Sequence, residues 1–167
     1  MKERSVVQQE PALYLAAVPR SAGAGSPKGL VRQHLAAAGE RSLQGGVSAL
    51  VAVVRQGLHF SELESLRDQL ELPMDRLAGY LGLARATVHR RKLSGQLTPD
   101  ESDKVLRFAR LLGQATRLFG SVEEAQGWLN TPQHGLGGAV PLEYAGTEVG
   151  SREVESLLGR IDYGVYS

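Results

Sequence analysis

The sequence predicts an all-α protein built around a helix-turn-helix, and three observations predict it. Residues 73–93, PMDRLAGYLGLARATVHRRKL, read as two short helices joined by a tight turn. Leu77, Ala78 and Leu81 share one face of the first helix, Gly82 supplies a left-handed bend that glycine adopts without steric cost, and Leu83 and Val88 are the inward residues that follow. Helix-start signals recur: Ser61-Glu62-Leu63-Glu64, Thr98-Pro99-Asp100-Glu101 and Ser121-Val122-Glu123-Glu124 each have the capping-box form, in which a hydroxyl and a carboxylate satisfy each other's orphan backbone N–H groups. No stretch alternates convincingly enough to mark a strand.

Taken in order, residues 1–45 hold Pro19, the run SAGAGSPKG and Gly39 and Gly45, and are expected to form a flexible arm. Residues 47–57, VSALVAVVRQG, predict an apolar helix ended by Gly57. Its Leu50, Val51, Val53 and Val54 exceed what one buried face requires, which predicts a homodimer formed here. Ser61 is expected to cap the next helix, with Leu63, Leu66 and Leu70 at helical spacing, and Leu72-Pro73 to end it. In the second helix of the motif, from Arg85 to Leu93, an apolar anchor is expected near Arg91, and Leu93 is assigned that role.

Residues 98–119 predict the longest helix, with Val105, Leu106, Ala109, Leu112 and Ala115 on one face and Gly120 as its stop. A short helix carries Trp128 and Leu129. The loop TPQHGLGGAVP follows, then a short helix from Pro141. The last helix is expected over 151–162, with Val154, Leu157, Leu158 and Ile161 inward and Gly164 as a left-handed cap. The expected division is an arm over 1–45, a helix-turn-helix and dimerisation domain over 46–97, and a small helical domain over 98–167.

Charge is unevenly placed although the net formal charge is +1. Residues 1–119 carry 17 Lys and Arg against 11 Asp and Glu, and residues 120–167 carry 2 against 7. This suits a front that meets an anion and a rear that meets something else. No acidic residue lies between Asp75 and Asp100, and the second helix of the motif carries Arg85, Thr87, His89, Arg90, Arg91 and Lys92. Arginine can fork two hydrogen bonds onto guanine, and lysine meets phosphate as a point charge. Arg85, Thr87, His89 and Arg90 are expected to face the major groove of operator DNA, and Arg91 and Lys92 to touch phosphate.

Other chemistry lacks its residues. There are no cysteines, and His34, His59, His89 and His134 have no metal-ligand spacing. The run His134-Gly135-Leu136-Gly137-Gly138 lacks the Lys-Ser/Thr of a phosphate-binding loop. No catalytic constellation, cofactor or metal is expected. No apolar run approaches the length of a membrane span, and the start MKERSVVQQE is a poor signal peptide, so a cytoplasmic protein is expected.

From about residue 61 onward the chain resembles antitoxins of the Xre/MbcA/ParS group, partners of RES-domain toxins. The matching stretches are LARATVHRRKLSGQLTPDESDKVLRFARLL and FGSVEEAQGWLNTPQHGLGGAVPLEYAGTEVGSREVESLLGRIDYGVYS. The distinctive pieces are Trp128-Leu129-Asn130-Thr131-Pro132, Leu136-Gly137-Gly138, Thr147-Glu148-Val149-Gly150, and the ending from Leu158 to Tyr166. The resemblance implies an Xre/Cro-like helix-turn-helix that binds the operator of its own operon, and a C-terminal part that blocks an NAD-degrading toxin. It favours toxin contact by the acidic end of the chain: Glu153, Arg160, Tyr163, Gly164, Val165, Tyr166 and Ser167. Two alternatives stay open. The tail rings could fold back onto Leu157 and Trp128, and the protein could be a plain regulator whose C-terminal domain oligomerises or senses a ligand.

Overall fold

A computed structural model of the protein describes residues 46–165. The expected arm over 1–45, and Tyr166 and Ser167, lie outside the described residues. Helices follow in the order α1 Gly46–Gln56, α2 Phe60–Leu70, α3 Met74–Tyr80, α4 Arg85–Ser94, α5 Pro99–Phe119, α6 Val122–Asn130, a 3-10 turn His134–Leu136, α7 Pro141–Tyr144 and α8 Glu148–Asp162. Among the described residues there is no strand, only two isolated bridges, His59 with Gln96 and Gln133 with Ala139.

The long helix α5 is the spine. Its start is the capping box expected from sequence: Thr98 accepts from the Glu101 backbone N–H, and the Glu101 carboxylate accepts from that of Thr98 at 2.8 Å. Gly120 ends it with φ +86°. α5 packs against α1, α2, α6 and α8. A single buried cluster therefore runs from Leu58 and Leu63 through Val105, Phe108 and Leu112 to Leu129, Val154 and Leu158. Each fully buried leucine contributes about 1.5–3 kcal/mol relative to exposure. The cluster crosses the expected boundary at 97/98 without a break, because α5 belongs to both sides.

Three local expectations are corrected. Ser61 does not cap α2. The helix starts at Phe60, and the His59 ring accepts from the Ser61 N–H at 3.2 Å. The cause lies 35 residues on: the Phe60 N–H donates to Gly95 O and the Leu97 N–H to Leu58 O, which draws the helix start back against the end of α4. Gly57 makes this approach possible, since a Cβ there would stand 2.2 Å from Leu97 O. The last helix begins at Glu148, not Ser151, because Thr147 caps it through the Gly150 N–H. Leu93, assigned as an inward anchor, is 77% exposed.

Candidate functional site

α3 and α4 form the helix-turn-helix. Leu77, Ala78 and Leu81 are buried, Gly82 turns at φ +66°, and Leu83 and Val88 pack half-buried on the core. Two contacts from α5 hold the pair. Lys104 Nζ donates to Leu81 O at 3.0 Å, satisfying a carbonyl at the end of α3. Arg91 Nε lies 2.7 Å from Glu101 Oε2, and Glu101 is buried. Burial pushes the Glu101 carboxyl up, but Arg91 and the Thr98 bonds outweigh it and hold it below the usual carboxylate range. Arg91 thus takes the place expected of an apolar anchor. Its side chain is 21% exposed and its head is paired with Glu101, while a phosphate contact remains the expectation for it.

The other expected DNA-contacting residues differ in freedom. Arg85 is exposed at the start of α4, with Nε 3.1 Å from Asp75 Oδ1. That hydrogen bond and charge raise its pKa further, so it stays cationic. His89 and Arg90 are exposed, and among the described residues no hydrogen bond or ion pair holds Arg90. Thr87 is half-buried. Lys92 is exposed and 4.0 Å from Glu64. Ala86 and Leu93 share the exposed side; Ala86 carries no polar group to mark it, and Leu93 was expected to face inward. The face is therefore cationic, firmly backed, and free of acidic side chains on α4 itself.

The second candidate surface is the outer side of α8. Val149, Arg152, Glu153, Ser156, Arg160 and Tyr163 recur at three- and four-residue steps along it. Arg160 donates to Ser156 Oγ at 2.9 Å and to Glu153 Oε1 at 3.1 Å, so these two expected partner residues first bind each other. Glu155 turns away and pairs with Arg110 of α5 at 2.6 Å. Glu148 is held below its ordinary range by Arg152 and then by Arg107, whose guanidinium also lies 2.8 Å from Asp103. At one end of the surface Val149 is 79% exposed, beside Tyr144. At the other, Gly164 closes α8 with φ +68°, its N–H donating to Ile161 O and that of Val165 to Arg160 O. Tyr163 is 83% exposed, so its ring does not fold back onto Leu157 and Trp128, and Trp128 packs instead against Phe119 at 5.6 Å.

The junction between the two surfaces is close. A Cβ on Gly146, between α7 and α8, would stand 3.0 Å from Tyr80 O at the end of α3. A metal centre is not among these features: no group of three or more His, Cys, Asp or Glu side chains converges among the described residues.

Comparison with known proteins assigns a family to both parts of the chain. Residues 49–110 match the family model of the antitoxin Xre-like helix-turn-helix domain. Residues 114–164 match that of the antitoxin Xre/MbcA/ParS C-terminal toxin-binding domain. Antitoxin Xre of Yersinia enterocolitica is 33% identical over 122 residues, covering 72% of this chain and 82% of the relative. Antitoxin Xre of Photorhabdus laumondii is 30% identical over 120 residues, covering 71% and 81%. The Prs ADP-ribosylating antitoxin of a Sphingobium species is 27% identical over 127 residues, covering 70% and 80%. The two matched stretches meet within α5, the helix that carries the core from one surface to the other. With its helix-turn-helix and its C-terminal half both accounted for, the chain belongs to the Xre/MbcA/ParS family of antitoxins.

Proposed function

We propose that this antitoxin neutralises a RES-domain toxin that degrades NAD, contacting it through the outer side of α8 and the tail, and represses its own operon through α4. The observation that carries the reading is the exposed end of α8. Tyr163 and Val165 stand in solvent on either side of Gly164 in a hydrogen-bonded cap, inside or beside the segment matched to toxin binding. Tyrosine brings a large rigid ring and a polar tip at low entropy cost, which suits a contact that must exclude water. The name of the Sphingobium relative supports the same chemistry for the partner. ADP-ribosyl transfer and NAD degradation break the same nicotinamide–ribose bond, so both toxins would present an NAD cleft to be blocked. The antitoxin itself acts by binding in the cytoplasm, with no catalysis and no cofactor.

Operator reading needs a symmetric pair of helix-turn-helix units. A homodimer through α1 would supply it. Leu50, Val51 and Val54 face a groove of about 380 Å³ shared with Leu106 and Arg110 of α5, and Val51 is 43% exposed. The test is co-expression with the RES-domain product of a neighbouring gene, followed by purification and measurement of cellular NAD. A stable complex with NAD preserved is expected. NAD that falls equally with and without the antitoxin would sink the assignment.

A further inference from the structure

The exposed face of α4 carries apolar residues among its cations. Residues three, four and seven apart share a helix face. Ala86, His89, Arg90 and Leu93 have that spacing and all four are exposed, whereas Thr87, Val88 and Arg91 are half-buried behind them. Half of this outward stripe is therefore apolar. A leucine exposed to 77% adds nothing to the packed core of this chain. It flanks Arg90, the cation of α4 that no hydrogen bond or ion pair restrains among the described residues.

We propose that Ala86 and Leu93 read thymine in the operator through its 5-methyl group, with Arg90 set on guanine between them. The inference rests on the DNA-reading role of α4. In the major groove thymine alone presents a methyl group, and small apolar side chains recognise it by contact, while an arginine fork recognises guanine. Seven residues separate Ala86 from Leu93, about 10 Å along a helix. That is about three base-pair steps of duplex. The stripe therefore asks for two thymines about three steps apart in each half-site.

The experiment uses the full chain. Duplexes are selected from a randomised library. Uracil then replaces thymine at one position at a time, which removes the methyl group and nothing else. Two positions per half-site, about three steps apart, should each lose about fourfold in affinity, the worth of one buried methyl. Leu93→Ala should abolish the uracil effect at one of them and leave the other, and Ala86→Ser should do the reverse. Both residues are exposed, so neither change disturbs the core. A flat uracil scan on a duplex that still binds tightly overturns the inference while the DNA-reading role stands. So does a Leu93→Ala protein that keeps the full uracil profile but changes oligomeric state in light scattering, since Leu93 would then serve a contact between copies. Recovery of no preferred sequence would overturn the DNA-reading role and the inference with it.

Discussion

Arg91 Nε lies 2.7 Å from Glu101 Oε2, and the same carboxylate closes the capping box at the start of α5. One buried group thus fixes two things at once: the seat of the recognition helix and the first turn of the helix that leads to the toxin-binding half. The side chains are 21% and 9% exposed, so water screens the pair little.

Glu101→Ala should therefore destabilise the protein by about 3 kcal/mol, because it leaves a half-buried guanidinium unpaired and removes a cap. Calorimetry should show a fall in Tm of about 10 °C. The pH dependence has a definite sign. The folded Glu101 carboxyl is held below its unfolded value, so its contribution is complete above the unfolded pKa of about 4.3 and fades as pH falls through the lower folded value. The gap in stability between wild type and Glu101→Gln should be constant from about pH 6 to 8 and shrink in acid. A gap that widened on acidification would contradict this account.

On α4, position along the helix is expected to separate specific from general contacts, its N-terminal part reading bases. Arg90→Ala should cost about 1–3 kcal/mol on operator DNA and relax preference at one base pair. Lys92→Ala should weaken all sequences alike and reduce the slope of affinity against salt by about one. Asp75→Asn should free Arg85 from its clamp and broaden preference at the base Arg85 meets, while leaving the melting temperature unchanged, since both partners are exposed. Anisotropy titrations at several salt concentrations distinguish the three. Identical salt slopes for the wild type and Lys92→Ala would remove the phosphate role of Lys92.

Much of this frame was legible from residue patterns alone, and what escaped was set by partners far along the chain. The helix-turn-helix, the Thr98 cap and the apolar face of α5 depend on residues within a few positions of one another, so spacing reveals them. The start of α2 depends on Gly95 and Leu97, about 35 residues away, and a local capping box at Ser61 cannot compete with that pairing. Hydrophobicity alone points to Leu93 as the anchor, because it places arginine outside. Arg91 has an apolar stem, and its charge finds Glu101 ten residues later, so it packs where a leucine would. The expected contact residues of α8 were placed by family resemblance. That Glu155, beside them, ties α8 to Arg110 is a tertiary fact with no local mark.

The junction of α7 and α8 is a point of high sensitivity. A Cβ on Gly150 would stand 1.8 Å from Tyr144 O, which is backbone and cannot swing aside. Gly150→Ala should therefore displace the start of α8 and cost more than about 2 kcal/mol. Gly159, with open space around its Cβ position, is the control: Gly159→Ala should be neutral or stabilising by up to about 1 kcal/mol. Urea titrations of the two variants should move in opposite directions or differ sharply in midpoint. Equal midpoints would show that the close approach at Tyr144 relaxes at no cost.

The tail separates folding from neutralisation. Tyr163 and Val165 are exposed, and the last buried residue of α8 is Leu158, so residues 163–165 add little to the core. Their removal takes away the Gly164 cap, whose two hydrogen bonds satisfy the carbonyls of Arg160 and Ile161 at a solvent-exposed helix end. Water can replace those bonds, so the loss should stay within about 1 kcal/mol. Interface energy, by contrast, concentrates in aromatic anchors that become fully desolvated, each worth at least about 2 kcal/mol. Deleting residues 163–167 should therefore leave the melting temperature and operator binding near wild type while toxin neutralisation fails. Tyr163→Ala alone should weaken the toxin complex by about 30-fold, read by surface plasmon resonance against catalytically inactive toxin. Val149→Ala, at the far end of the same surface, should weaken it less, because a valine buries less area than a tyrosine. Full protection of cells by the truncated protein would move the toxin contact off the tail and leave the Tyr144–Val149 end to carry it.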